Sequence, residues 1–419
     1  MGRRQPTPAG GAEVVVLQRH DHRGQAVVIF TLADVDYLSS PAGAAALDEV
    51  ARYPLTDRTR VADVSIIGKR FGGHAGPLVE TTLLRRRAAA KFEPTDAARW
   101  LFTDDSLQQA TATPVARHRA ARLSGSVVHD ATCSVGTELA ALRVTAAQVI
   151  GSDLDEVRLA MARHNLGPEM ALCRADALRP VSRHAVVLLD PGRRSAGRRR
   201  TDLRAYTPPL DEVLDVYRGR ATVIKCAPGI DFDAVRRLGF DGEIEVTSLG
   251  GSVREACLWS PALAASGVRR RATVLDRGEV LTDAEPDDCD VAPPGRWIVD
   301  PDGAVVRAGL VRHYANRHGL WQLDPAIAYL TGNLLPGGVR GFEILDQVSV
   351  REKVMRQALS AHDCGSLEIL VRGVDVDPDR LRRRLRLSGA TALTLVITRI
   401  GSGRSGGAVA FLCRASSGG

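Results

Sequence analysis

Between residues 127 and 248 the chain alternates short apolar runs with amphipathic ones, and four of the apolar runs end on an aspartate. Strands are expected at residues 127–130, 148–153, 171–176, 185–190, 221–227 and 243–248, with helices at 136–146, 155–165, 209–217 and 231–238. A strand that hands over to a helix cannot meet the next strand through a hairpin, so repeated units of this kind force a parallel, doubly wound sheet. Ligands bind such a sheet outside the carboxyl ends of its strands. Asp130, Asp153, Asp176 and Asp190 close the first four strands, so four carboxylates are expected along that edge. One such aspartate is an ordinary helix cap or turn residue. Four in chain order point to a site.

The first turn, "VVHDATCSVGTELAAL", narrows the ligand. Ala131, Thr132, Cys133 and Ser134 keep it thin, and Gly136 opens the helix where backbone must come close to a bound molecule. A pyrophosphate site needs Gly-x-Gly-x-x-Gly, and Ser134 stands where a second glycine is expected. S-adenosylmethionine carries no pyrophosphate and asks for a thin loop lined with acceptors. On that reading Asp153, followed by Leu154, accepts from both ribose hydroxyls. Asp176 accepts from the adenine amine, with Ala177 and Leu178 against the ring, and Asp130 faces the methionine ammonium.

"VVLLDPGRRSAGRRR" carries a second motif. A strand ending Asp190-Pro191 is similar to the catalytic motif of methyltransferases acting on nucleic-acid bases, in which an acidic or amide side chain accepts from an exocyclic amine. Gly192 and Arg193 stand where that motif has a proline and an aromatic residue. Arg193 can stack through its guanidinium plane or hold a phosphate. Arg194, Arg198, Arg199 and Arg200 follow, either as a solvated loop or as an RNA contact. Lys225 and Cys226, in "VIKCAPGID", are expected at the same edge. Cys226 is either a small buried thiol or the nucleophile of a pyrimidine C5-methyltransferase.

Residues 1–122 read as mainly helical, with a break at Ser40-Pro41 and a further helical pair around Pro114. Residues 123–278 hold the alternating core. Residues 279–340 form a linker and hairpin region, with "WIVDPDGAVVRAG" read as a hairpin around Asp-Gly. Residues 341–419 form a small α+β domain bearing the basic helix "DPDRLRRRLRL". The net charge of +7 favours an anionic partner. Seven scattered cysteines without a Cys-x-x-Cys pair suggest neither zinc nor a disulfide scaffold, which fits the cytoplasm. No apolar run is long enough for a membrane span, and "MGRRQPTPAGGAE" lacks the apolar core of a signal peptide.

With these residues placed, the chain resembles a bacterial family of class I S-adenosylmethionine-dependent methyltransferases with a C-terminal THUMP-like domain. The resemblance rests on "RRRAAAKF", "WLFTDDSLQQAT" and "VARHRAARL" near the start. In the core it rests on "DATCSVGTEL", "GSDLDEVRLAMARHNL", "RADAL" and "LLDPGRR", and at the end on "YLTGN" and "SLEILVRGVDVDPDRLRRRLRLSGATALTLVITR". It implies a Rossmann-like core whose parallel sheet ends in an antiparallel hairpin strand, as "EIEVTSLGGSVREACLWS" also suggests. It implies S-adenosylmethionine as cofactor and structured RNA, with tRNA a candidate, as partner. Asp190, Pro191, Arg193 and Lys225 form the expected catalytic set. The expected reaction is methylation of a base amino group. Two rivals stand beside it: the Cys226 route to pyrimidine C5, and a cofactor-binding RNA adaptor without catalysis.

Overall fold

The computed structural model describes residues 18–20, 26–193, 203–401 and 407–416. Two compact units divide the chain, Met1–Ile224 and Lys225–Gly419. In the first, helices Leu32–Ser39, Pro41–Val50, Arg60–Phe71, Ala75–Ala88, Pro94–Arg99, Asp104–Gln109 and Thr113–Arg122 precede the sheet. The break expected at Ser40-Pro41 is real. Ser40 ends one helix in extended conformation and its hydroxyl caps the next, which starts on the proline. The arginine loop of residues 194–200 lies outside the described residues, as does the side chain of Arg193.

The sheet of this unit is parallel. Val127–Asp130 is central, flanked on one side by Gln148–Asp153 and then Ala171–Arg174, on the other by Val186–Leu189 and then the strand that begins at Thr222. Val186, Val187, Leu188 and Leu189 are all buried, as strands covered on both faces must be. Asp130 and Asp153 fall inside their strands. The strand expected to reach Asp176 stops at Arg174, and the one expected to reach Asp190 stops at Leu189. Both aspartates therefore sit on the loops just past the strand ends.

Helical region and sheet share one core. Leu38, Leu47, Leu78, Leu84, Trp100 and Phe102 cluster with Cys133, Val135, Leu139 and Met161. Asn165 ties them further: its Oδ1 accepts from Leu101 N–H at 2.7 Å and its Nδ2 donates to Leu101 O at 3.0 Å and to Val135 O at 2.9 Å. Arg119, 1% exposed, pairs with Glu138 on the helix Thr137–Thr145.

In the second unit, Glu243–Leu249 and Ser252–Trp259 pair antiparallel. The two-residue loop between them is Gly250-Gly251, with φ of 62° and 66°, the turn geometry that matches strand twist. The hairpin expected around Asp302 is not formed. Trp297–Val299 is a strand, but Asp302 accepts from Ala304 N–H at 2.8 Å and caps the helix Gly303–Arg307. Ala304, Val305 and Ala308 then bury one helical stripe, and that packing overrides the Asp-Gly turn signal. A seven-stranded sheet follows. Its strands Gly341–Ser349, Cys364–Arg372, Thr391–Ile400 and Gly407–Ala415 alternate with helices Glu352–Ala361 and Pro378–Leu385, and Trp297–Val299 pairs with Gly341–Glu343 at one side.

Breaking the Arg119–Glu138 pair from one side strands a buried charge. Arg119→Met is expected to lower the unfolding free energy by about 3–5 kcal/mol in urea titration, and Arg119→Met/Glu138→Gln to regain much of that loss. Equal cost in the single and double variants would show that shape rather than charge is what Arg119 contributes.

Candidate active site

Asp130 begins the site at the end of the central strand. Its Oδ1 accepts from Thr132 N–H at 3.1 Å, and Thr132 Oγ1 in turn accepts from Asp190 N–H at 2.6 Å. Asp153 holds two loops at once: Oδ2 accepts from Ser134 N–H and Oδ1 from Asp155 N–H, each at 2.9 Å. Asp176 accepts from Leu178 N–H at 2.9 Å and so shapes its own turn. Local polar bonds thus aim the loops that follow the strands.

These loops enclose a cavity of about 520 Å³, within the range of small-molecule sites. Asp130, Ala131, Thr132, Cys133, Asp153, Leu154, Asp176, Ala177 and Asp190 all line it. Gly136 does not; it is buried at φ 91° as the N-cap of the helix behind, where a Cβ would fall 2.6 Å from Leu166 Cδ1. Pro191 is buried beside the site, and Arg193 pairs by backbone with Tyr206. The cavity lining is drawn wholly from residues 106–209. Lys225 and Cys226 end the strand Thr222–Cys226, the first half-buried and the second 3% exposed.

Other lining residues carry no motif. Ser106, Gln109 and Ala110 arrive from the helix Asp104–Gln109 and its end, and Thr207, Pro208 and Pro209 from the short strand Tyr206–Thr207 and the residues after it. Glu138 and Arg158 come from the outward helices. Sequence periodicity marks these only as shell residues. The sole hint was that "WLFTDDSLQQAT" belongs to the family resemblance.

The site is acidic. Asp130, Glu138, Asp153, Asp176 and Asp190 face Arg158 as the lone cation among the described lining residues, and Arg158 pairs with Asp155 at 3.6 Å. Burial pushes the Asp130 carboxyl well above the usual range; Glu138 adds to this, the Thr132 N–H opposes it, and Asp190 and Asp153 raise it further. Cys133 is likewise raised by burial and by Asp130 and Asp153, which makes it a neutral wall rather than a nucleophile. Such a site repels phosphates and gains from a cation. The sulfonium and ammonium of S-adenosylmethionine fit it.

Known proteins resemble this chain in sequence and in fold. Two proteins of Mycobacterium tuberculosis, from different strains and each named an uncharacterized S-adenosylmethionine-dependent methyltransferase, are 65% identical to this chain over 354 residues, covering 83% of it and 99% of their own length. The crystal structure of a "putative methyltransferase" from Porphyromonas gingivalis W83 matches with a TM-score of 0.70 at 20% identity, over 93% of this chain and 100% of its own, and speaks for the fold. The THUMP domain-like family matches residues 339–415, and a domain of unknown function matches residues 31–88. With that identity across nearly the whole of its mycobacterial relatives, the chain belongs to the S-adenosylmethionine-dependent methyltransferases, built on the class I fold and using S-adenosylmethionine as cofactor.

Proposed function

We propose that the protein methylates a base amino group in structured RNA, tRNA or rRNA, in the cytoplasm. The observation that carries the proposal is the position of Asp190: it lines the same cavity as the cofactor-side aspartates and is tied to Asp130 through Thr132. S-adenosylmethionine, when bound, supplies an electrophilic methyl group. Asp153 accepts from the ribose hydroxyls with lone pairs left over from Ser134 and Asp155. Asp176 accepts from the adenine amine, Ala177 and Leu178 flank the ring, and Asp130 balances the methionine ammonium. Ala131, Thr132, Cys133 and Gly136 keep the loop close. Asp190 accepts an N–H of the target amine and turns the nitrogen lone pair toward the methyl group. Pro191 fixes the backbone after it, and Arg193 and Lys225 orient the nucleic acid.

The RNA part of the reading is supported by the THUMP domain-like match and by charge. On the helix Pro378–Leu385 and just beyond it, Arg380, Arg383 and Arg386 are exposed and make no ion pair among the described residues, whereas Arg382 and Arg384 are paired with Asp379 and Glu352. In this reading residues 1–122 support the core, 123–278 bind the cofactor, 279–340 connect, and 341–419 engage RNA. Cys226, buried at its strand end, lends no support to a covalent pyrimidine route.

Three outcomes are expected. By calorimetry, Asp153→Ala weakens S-adenosylmethionine ten-fold or more, on the order of 1.4 kcal/mol; unchanged affinity removes Asp153 from the cofactor site. With labelled cofactor and total RNA, Asp190→Ala abolishes transfer while leaving cofactor affinity within a few fold, and Cys226→Ala transfers normally. A covalent adduct of Cys226 with 5-fluoropyrimidine RNA would reverse that assignment. Arg380→Glu/Arg383→Glu keeps cofactor binding but lowers tRNA affinity, and flattens the plot of log affinity against log salt by roughly 1.4–1.8, about 0.7–0.9 per lost phosphate contact. An unchanged slope would make those arginines a solvated face.

A further inference from the structure

One wall of the cavity comes from outside the alternating core. At the end of the helix Asp104–Gln109, Gln109 lines the cavity together with Ala110. A Cβ placed on Gly192 would lie 3.8 Å from Gln109 Oε1 and 3.9 Å from its Nε2, so the carboxamide lies within about a methyl group's width of the backbone two residues past Asp190. Gly192 is also paired with Thr207, and Pro208 and Pro209 continue that side of the cavity. Gln109 is exposed, unlike the buried Ser106 one turn earlier.

A carboxylate can only accept, so Asp190 recognises an amine N–H without reading what lies beside it. Base edges differ in that neighbouring position, where a ring nitrogen or carbonyl accepts or a ring N–H donates. A carboxamide offers two donors and an acceptor in one plane, the group suited to reading such an edge. We infer that Gln109 is a substrate-recognition residue whose carboxamide hydrogen-bonds the base edge next to the amine held by Asp190. The helical region then selects the base and the core methylates it. This rests on the RNA-amine reading above.

The test compares the unaltered full chain with Gln109→Leu, which keeps the side chain's bulk and removes its hydrogen bonds. Labelled S-adenosylmethionine and total RNA from a strain lacking the gene serve as substrates, with nucleoside mass spectrometry of the product. Gln109→Leu is expected to bind S-adenosylmethionine as the unaltered protein does and to lose about ten-fold or more in kcat/KM for RNA. Equal transfer to the same nucleoside by both proteins overturns the inference and leaves the RNA reading standing. A fall in cofactor affinity that matches the fall in turnover also overturns it, because the effect is then structural. No transfer to RNA by the unaltered protein overturns the RNA reading and this inference together.

Discussion

The Asp153 carboxylate holds the site together. One oxygen takes the N–H of Ser134, on the loop after the central strand, and the other takes the N–H of Asp155, which caps the following helix. Two loops that leave different strands are thereby set against each other. The Thr132 hydroxyl adds the third loop by accepting from Asp190 N–H. Charge-assisted bonds to backbone N–H groups are stronger than neutral ones, so the carboxylate fixes geometry more firmly than a hydroxyl in its place. A parallel sheet leaves its carboxyl edge to loops, and loops without such ties are mobile. The cavity keeps its shape because the acids that face it are also the acids that build it.

That dual use has an electrostatic consequence. Burial raises the pKa of Asp130, the most deeply placed of the five acids around the cavity, and repulsion from Glu138, Asp190 and Asp153 raises it further. The repulsion is tolerable because Asp130 and Asp153 also accept backbone N–H bonds and because Arg119 neutralises Glu138 from the helical region. What remains favours a cationic occupant over an anionic one. An NAD-type ligand would bring two phosphates into this field and find no glycine-rich cradle for them. The missing glycine and the surplus of carboxylates thus argue in the same direction.

Much of this was legible in the sequence because the parallel sheet writes itself as a period. The strands around Val128, Ile150, Val187 and Val223 each carry a short apolar run, and aspartates end or follow three of them in the sequence itself. What the sequence hid was of two kinds. Gln109 and Pro208 lie about 80 and 20 residues from Asp190 along the chain, and only folding brings them to its cavity; no local pattern encodes that. The Asp302-Gly303 hairpin failed for the opposite reason. The local signal was present, but Ala304, Val305 and Ala308 bury more as a helical stripe than a turn would allow. Local propensity gave way to packing.

Ser134 and Gly136 show how finely the first loop is set. Both take positive φ, 50° for the serine and 91° for the glycine, yet only one of them is a glycine. At Gly136 the reason is steric, since a Cβ would meet Leu166 Cδ1 at 2.6 Å and Leu166 packs in the shared core. The positive φ adds a conformational cost for any residue with a side chain. At Ser134 the objection is conformational alone, a cost of about 1 kcal/mol for a left-handed residue with a side chain. The bond from its N–H to Asp153 offsets a cost of that size. The serine is therefore compatible with the turn as long as the aspartate is there, whereas at the glycine a side chain meets both the strained φ and the Leu166 contact.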